Sequence, residues 1–196
     1  MVSVLQHLNA SFTEYLEGEQ DVEFRSEYVG GEIYAMAGAS ETHNTIAGDF
    51  YARINIHLPA HCRVWQSDMK VVGSTLDLQP FSYYPDIMAA CDADDDENAY
   101  YRTNPLLIAE VLSKSTHRID LNEKLSSYTQ IKSLLEYVVV SQDTPFVRVY
   151  RRRTNWQIEI FGAEDNILLE SIDLELPVTD IYRRVRREVG LDIPPL

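Results

Sequence analysis

Short apolar runs separated by turn residues fill most of the chain, and helical spacing replaces them in a few stretches. Residues 22–29 and 32–36 flank Gly30-Gly31, a pair that supplies the positive φ a tight hairpin needs. Ser40-Glu41-Thr42 then leads into Ile46, Ala47, Phe50, Ile54 and Leu58, which recur on one face of a helix that Pro59 ends. Strand-like runs follow at 63–72, 83–91 and 106–112. Leu121, Leu125, Tyr128 and Ile131 restore the helical period over 119–131, and 136–141 is again β-branched, so this part reads as a strand, helix, strand unit. Residues 146–151 and 156–161 predict another hairpin, with Arg152-Arg153-Thr154-Asn155 near its turn. A terminal helix is expected over 179–188, with Thr179-Asp180 placed to cap it. The order is that of a mixed α/β domain with a sheet between helices.

Two carboxylates break this pattern. Asp86 in Tyr83-Tyr84-Pro85-Asp86-Ile87-Met88 and Glu110 in Leu107-Ile108-Ala109-Glu110-Val111-Leu112 each interrupt an apolar run. A charge buried in a strand needs a partner, and a divalent metal shared between neighbouring strands would serve both. The bland alternative pairs each acid with arginine or backbone amides. Carboxylates more than about 8 Å apart would favour it, because oxygen ligands sit near about 2.1 Å from such an ion.

Lys124 is the next anomaly. At about 100° per residue it projects between Ile131 and Tyr128 and about 60° from Leu121, inside the apolar stripe. An isolated lysine there snorkels to water. Following two interrupted strands, it reads instead as an amine directed into a shared site. Two carboxylates for a divalent ion and one amine beside a phosphate form a set suited to phosphodiester hydrolysis, and hard oxygen ligands suit Mg²⁺ or Mn²⁺. His43 lies on the Ile46, Ala47 and Phe50 face, where hydrogen-bonded structural histidines are commoner than ligands or bases, so it is an accessory candidate.

Composition sets limits on these readings. The 196 residues are 45% hydrophobic and 24% charged, which fits one globular domain with a sizeable core. Residues 1–20 read as a short leader, with a possible helix turn at Ser11-Phe12-Thr13-Glu14-Tyr15-Leu16, and 21–196 as the domain. The net charge of −14 argues against binding nucleic acid by bulk electrostatics. Acid concentrates in Asp92-Ala93-Asp94-Asp95-Asp96-Glu97, which reads as a solvated loop and lacks the glycine and terminal glutamate of a calcium loop. Basic clusters stand at Arg151-Arg152-Arg153 and at Arg183-Arg184 with Arg186-Arg187, and they read as surface charge. Cys62 and Cys91 are expected to be reduced structural thiols, and the absence of a membrane span or signal pattern predicts a cytoplasmic protein.

The residues Glu27-Tyr28-Val29-Gly30-Gly31-Glu32-Ile33, His43, Ser67-Asp68-Met69-Lys70-Val71, Tyr84-Pro85-Asp86, Glu110-Val111-Leu112-Ser113, Lys124 and Glu136-Tyr137-Val138 occur in an order that resembles the PD-(D/E)XK nuclease superfamily. Within it, the chain is most similar to the Uma-type restriction endonuclease family, over about residues 20–187. The resemblance implies a restriction-endonuclease-like core: a mixed central β-sheet flanked by helices, with an N-terminal β-hairpin. It implies Asp86 and Glu110 as ligands of Mg²⁺ or Mn²⁺, Lys124 as the third catalytic residue, and Glu27 beside His43 as an accessory. Leu112 stands where the plain motif has its lysine, a role that moves to Lys124, with Lys70 and Lys114 as possible substitutes. The implied activity is metal-dependent cleavage of DNA by a homodimer, each site cutting one strand. The alternative is a nuclease-like fold that binds nucleic acid or a protein partner without cutting.

Overall fold

The computed structural model describes residues 10–20, 22–36, 38–91, 98–113 and 119–192. The acidic run at 92–97 and most of the polar connection before Lys124, including Lys114, lie outside these residues.

Helix α1 (Phe12–Gly18) opens on a capping box in which Ser11 and Glu14 satisfy each other's backbone donors. It docks through Tyr15, whose hydroxyl donates to the Ser26 carbonyl at 2.5 Å. Strands β1 (Ser26–Val29) and β2 (Glu32–Ala35) form the expected hairpin, with Gly30 at φ 57° and Gly31 at φ 96°. Helix α2 (Glu41–His57) is capped by Ser40, and its Ile46, Ala47, Phe50 and Ile54 are buried, as their spacing requires.

The run at 63–72 is not one strand. It divides into β3 (Arg63–Gln66) and β4 (Lys70–Ser74) at Ser67, which turns through φ 59°, and the two strands join different sheets. The run at 83–91 divides likewise into β5 (Pro80–Tyr83) and β6 (Ile87–Ala90), with Tyr84-Pro85-Asp86 between them. After β7 (Tyr101–Arg102) comes β8 (Leu107–Leu112), buried along its whole length. The expected helix over 119–131 is shorter and wound differently: a π-helical turn at Ile119–Lys124 passes into a single α-turn, α3 (Leu125–Tyr128).

Strands β9 (Glu136–Ser141), β10 (Phe146–Arg151) and β11 (Ile158–Gly162) follow, and Asn155 and Trp156 make the last turn at positive φ. A ribbon of β12 (Asn166–Leu169) and β13 (Leu174–Pro177) precedes α4 (Val178–Tyr182). This helix differs from expectation: Pro177 occupies its cap, Thr179 and Asp180 lie inside it, and a 3₁₀ turn at Arg183–Val185 follows.

Six strands form the central mixed sheet in the order β11-β10-β9-β8-β6-β3, with β8 and β9 parallel and the other pairs antiparallel. A second sheet, β2-β1-β5-β4-β7, carries the N-terminal hairpin. One face of the central sheet packs with α2 and α4 through Phe50, Ile54, Val138, Val149 and Ile181. The other face packs against β4, β5 and α3 through Val71, Tyr83, Ile108, Tyr128 and Tyr137. Asp86 therefore stands where the chain passes from one sheet to the other.

Cys62 and Cys91 are joined as a disulfide, contrary to the expectation of reduced thiols. The reason is register. Arg63 pairs with Ala90 in the β3–β6 ladder, so the next residues outward face each other, and a pairing of distant segments is invisible in local spacing.

Candidate active site

Pro85 interrupts the backbone donors between β5 and β6, and the chain bends at Asp86 before joining β6. Ile87 pairs with Ala109, which sets Asp86 opposite Glu110 one step further out. The two acids are neighbours: the Asp86 amide donates to Glu110 Oε2 at 3.3 Å, and the Val111 amide donates to Asp86 Oδ2 at 2.7 Å. His43, in the first turn of α2, places Nε2 2.9 Å from Asp86 Oδ1, while its Nδ1 has no hydrogen-bond partner among the described residues.

Lys124 is buried, not snorkelling. Its Nζ lies 3.1 Å from Glu110 Oε1, 3.2 Å from Glu27 Oε1 and 3.6 Å from Asp120 Oδ1, with the Tyr83 ring centroid at 5.4 Å. The π-helical turn ends at Lys124 and carries Asp120 on the same inward side. Glu27 comes from β1, and its Oε1 also accepts the Tyr84 amide at 3.2 Å. Tyr128 donates its hydroxyl to Glu110 Oε1 at 2.9 Å. Two of these residues were not singled out in the sequence. Asp120 resembles an ordinary capping residue of a polar connection, and its i, i+4 relation to Lys124 was the available signal. Tyr128 reads as one more member of the apolar stripe.

Among the described residues charge is out of balance here: Glu27, Asp86, Glu110 and Asp120 bring four carboxylates, with side-chain exposures of 16%, 17%, 4% and 3%, beside the ammonium of Lys124 at 8%. Burial pushes the Glu110 carboxyl well above its ordinary range; Lys124 opposes this in part, and Asp120, Asp86 and Glu27 add to it. Burial works against the charged form of Lys124, but Glu110, Glu27 and Asp120 together outweigh it and hold the ammonium well above an ordinary lysine. The donor set fits a hard divalent cation, because both Asp86 oxygens and Glu110 Oε2 keep a lone pair beyond the bonds described, and added positive charge would relieve the excess.

Lys70 meets the Tyr84 hydroxyl at 3.3 Å, in a group with Glu19, while Lys124 makes the direct contact with Glu110. The basic clusters are largely tied to acids: Arg151 to Glu136 and Glu159, Arg153 to Glu170, Arg183 to Asp180 and Arg184 to Asp49. His61, Cys62 and Cys91 bring ligand atoms within 4.8 Å of one another, but the two sulfurs are spent in their disulfide.

Comparison with known proteins agrees with this architecture. An uncharacterized protein of Synechocystis sp., slr1290, is 32% identical over 173 residues, covering 87% of this chain and 90% of that protein. A second from the same organism, sll1609, is 32% identical over 142 residues, covering 71% and 78%. Among solved structures, one described as a putative nuclease belonging to DUF820 from Anabaena variabilis superposes with a TM-score of 0.72 at 19% identity, covering 88% of this chain and 97% of that one. The fold is therefore restriction-endonuclease-like, a mixed α+β core. A family model matches residues 12–179, and the chain belongs to that family, Uma2, described as "Putative restriction endonuclease".

Proposed function

We propose that the protein is a metal-dependent endonuclease that hydrolyses DNA phosphodiester bonds, with Asp86, Glu110 and Lys124 as its catalytic residues. One observation carries the reading: among the described residues three carboxylates, Glu27, Glu110 and Asp120, converge on the Lys124 ammonium while a fourth, Asp86, stands beside Glu110, an acid-rich cluster that a divalent cation would suit.

Asp86 and Glu110 would hold Mg²⁺ or Mn²⁺. Such an ion, when bound, polarises a phosphoryl oxygen and lowers the pKa of water. His43 fixes the Asp86 carboxylate through Nε2, as outer partners of ligating carboxylates do, and Tyr128 does the same for Glu110. Lys124 stays protonated, so its role is to offset charge developing on the phosphate and not to abstract a proton. Asp120 and Glu27 orient it from the other sides.

Cutting both strands of a duplex in one encounter calls for two such sites, which a homodimer would supply. Cellular DNA would be met in the cytoplasm, where the Cys62–Cys91 disulfide would face a reducing thiol pool. No helix among the described residues is long and apolar enough to cross a membrane.

The test incubates purified protein with plasmid and with single-stranded DNA in Mg²⁺ or Mn²⁺. Cleavage that appears with metal and is absent from Asp86→Ala and Glu110→Ala supports the assignment; cleavage that persists in either variant refutes it. The net charge of −14 and the paired state of most arginines in the basic clusters favour the second reading, a nuclease fold that binds without cutting. Isothermal titration with Mn²⁺ separates the two, since only a competent site binds metal and loses it with either acid.

A further inference from the structure

The central sheet carries a second feature beside the proposed catalytic centre. Glu110 on β8 pairs with Val139 on β9, and Val139 pairs with Arg148 on β10. Residues paired across strands share a face, so Glu110 and Arg148 point to the same side, two strand spacings or about 10 Å apart. In the next row Leu112 pairs with Ser141, and Phe146 follows on β10. Leu112, Ser141, Asp143, Thr144, Phe146 and Arg148 line a cavity of about 370 Å³. This is ample for a nucleotide base and sugar, given the roughly 300–1,000 Å³ of ordinary ligand sites.

The chemistry of the walls is graded. The Arg148 guanidinium carbon lies over the Phe146 ring, 5.1 Å from its centroid, a cation–π contact. Unlike Arg151, Arg153, Arg183 and Arg184, Arg148 has no carboxylate partner among the described residues, so its charge is available. Asp143 lies past the strand ends, in the turn whose Asp143 and Thr144 amides bond to the Ser141 hydroxyl. Positive charge thus stands in the row of Glu110, and the acid stands away from it.

We infer that this cavity holds the nucleotide adjoining the scissile bond, its phosphate on Arg148 and its base between Phe146 and the Asp143 turn. The inference rests on the nuclease reading and names what that site grips beyond the reacting phosphate. An arginine fork suits a phosphate, an aromatic face suits any base, and the lone acid repels the phosphate and accepts from an amino-bearing base edge. A base can enter such a cavity only when unpaired, so the bound strand is single or locally opened at that position.

The test measures anisotropy of a labelled single-stranded oligonucleotide in Ca²⁺ across a salt series, with cleavage in Mn²⁺ measured alongside. Arg148→Gln is expected to weaken binding about tenfold and to flatten the slope of log affinity against log salt by about 0.7, the loss of one phosphate contact on a single strand. Arg148→Lys restores the slope without the full affinity. Phe146→Leu is expected to lose about tenfold with the slope unchanged, as stacking does. Arg153→Gln, at an exposed paired arginine, should bind as the wild type does. Unchanged melting and Mn²⁺ binding establish that each variant is folded. If the wild type cuts while Arg148→Gln and Phe146→Leu bind and cut as it does, this inference fails and the nuclease reading stands. If the wild type binds without cutting and both variants lose binding, the cavity assignment stands and the nuclease reading fails. If the wild type neither binds nor cuts, both fail.

Discussion

Two buried charge clusters flank the parallel pair β8 and β9, made from the same kinds of residue and differing in balance. At the start of β9, Glu136 accepts from Arg151 Nε at 2.9 Å, from the Glu170 amide at 3.0 Å, and from the Ser171 amide and hydroxyl at 2.7 and 2.5 Å. Arg151 also donates from Nη1 to Glu159 and from Nη2, at 2.7 Å, to the Leu168 carbonyl. These bonds tie β9, β10, β11 and the β12–β13 ribbon together. Around Glu110, by contrast, three carboxylates share the Lys124 ammonium among the described residues, Asp86 adds a fourth alongside, and lone pairs are left over on Asp86 and Glu110. A buried acid matched by its own arginine holds a fold; acids in excess of their cation suit something from outside.

The largest difference expected between the clusters is in activity. Asp86→Ala and Glu110→Ala should lower Mn²⁺-dependent cleavage by more than the roughly 100-fold that loss of an outer partner costs a metal site, while Arg151→Met should leave the rate per folded molecule unchanged. Plasmid nicking normalised to folded protein checks this.

Stability should show the reverse. Glu136→Gln leaves Arg151 short of its best-oriented partner and is expected to destabilise by about 3 kcal/mol, the low end for breaking a buried pair, because Glu159 remains. Glu110→Gln removes surplus charge and should raise the melting point in the absence of metal. Urea denaturation of the two variants decides, and equal losses in both would erase the distinction.

Metal should stabilise only the unbalanced cluster. At 100 times its dissociation constant, Mn²⁺ is expected to add about 2.7 kcal/mol to the wild type and nothing to Glu110→Ala, as read by thermal melting.

The smallest effect is that of pH. Burial and the neighbouring acids raise the folded-state value of Glu110 above its unfolded one, so the metal-free protein keeps this group's contribution at low pH and loses it as pH rises through the raised value. A metal requires the ionised form, so the Mn²⁺-induced melting shift should grow with pH over that range. A shift that falls with rising pH would show that Glu110 is not the ligand.

The interruption of apolar runs made Asp86 and Glu110 legible in the sequence, and the helical period exposed Lys124, because each sits where its neighbours demand an apolar side chain. Asp120 and Tyr128 stayed hidden because their residue types suit their local settings and only the fold turns them inward. The divided runs at 63–72 and 83–91 were read as continuous because Ser67 reaches positive φ without a glycine to announce it, although Pro85 was a marker for the second break. The Cys62–Cys91 bond depends on the β3–β6 register, which no local pattern encodes.

The passage of the chain from β5 to β6 at Tyr84-Pro85-Asp86 has a mechanical side. Its first residue is anchored by Glu27 of the outer sheet, and its last is held by Val111 and Glu110 of the central one. Tyr84-Pro85-Asp86 thus ties the two sheets together, and sliding one over the other is expected to draw Asp86 away from Glu110. A preparation that has lost the gap between its two layers is expected to lose the site while its spectrum still reads as folded.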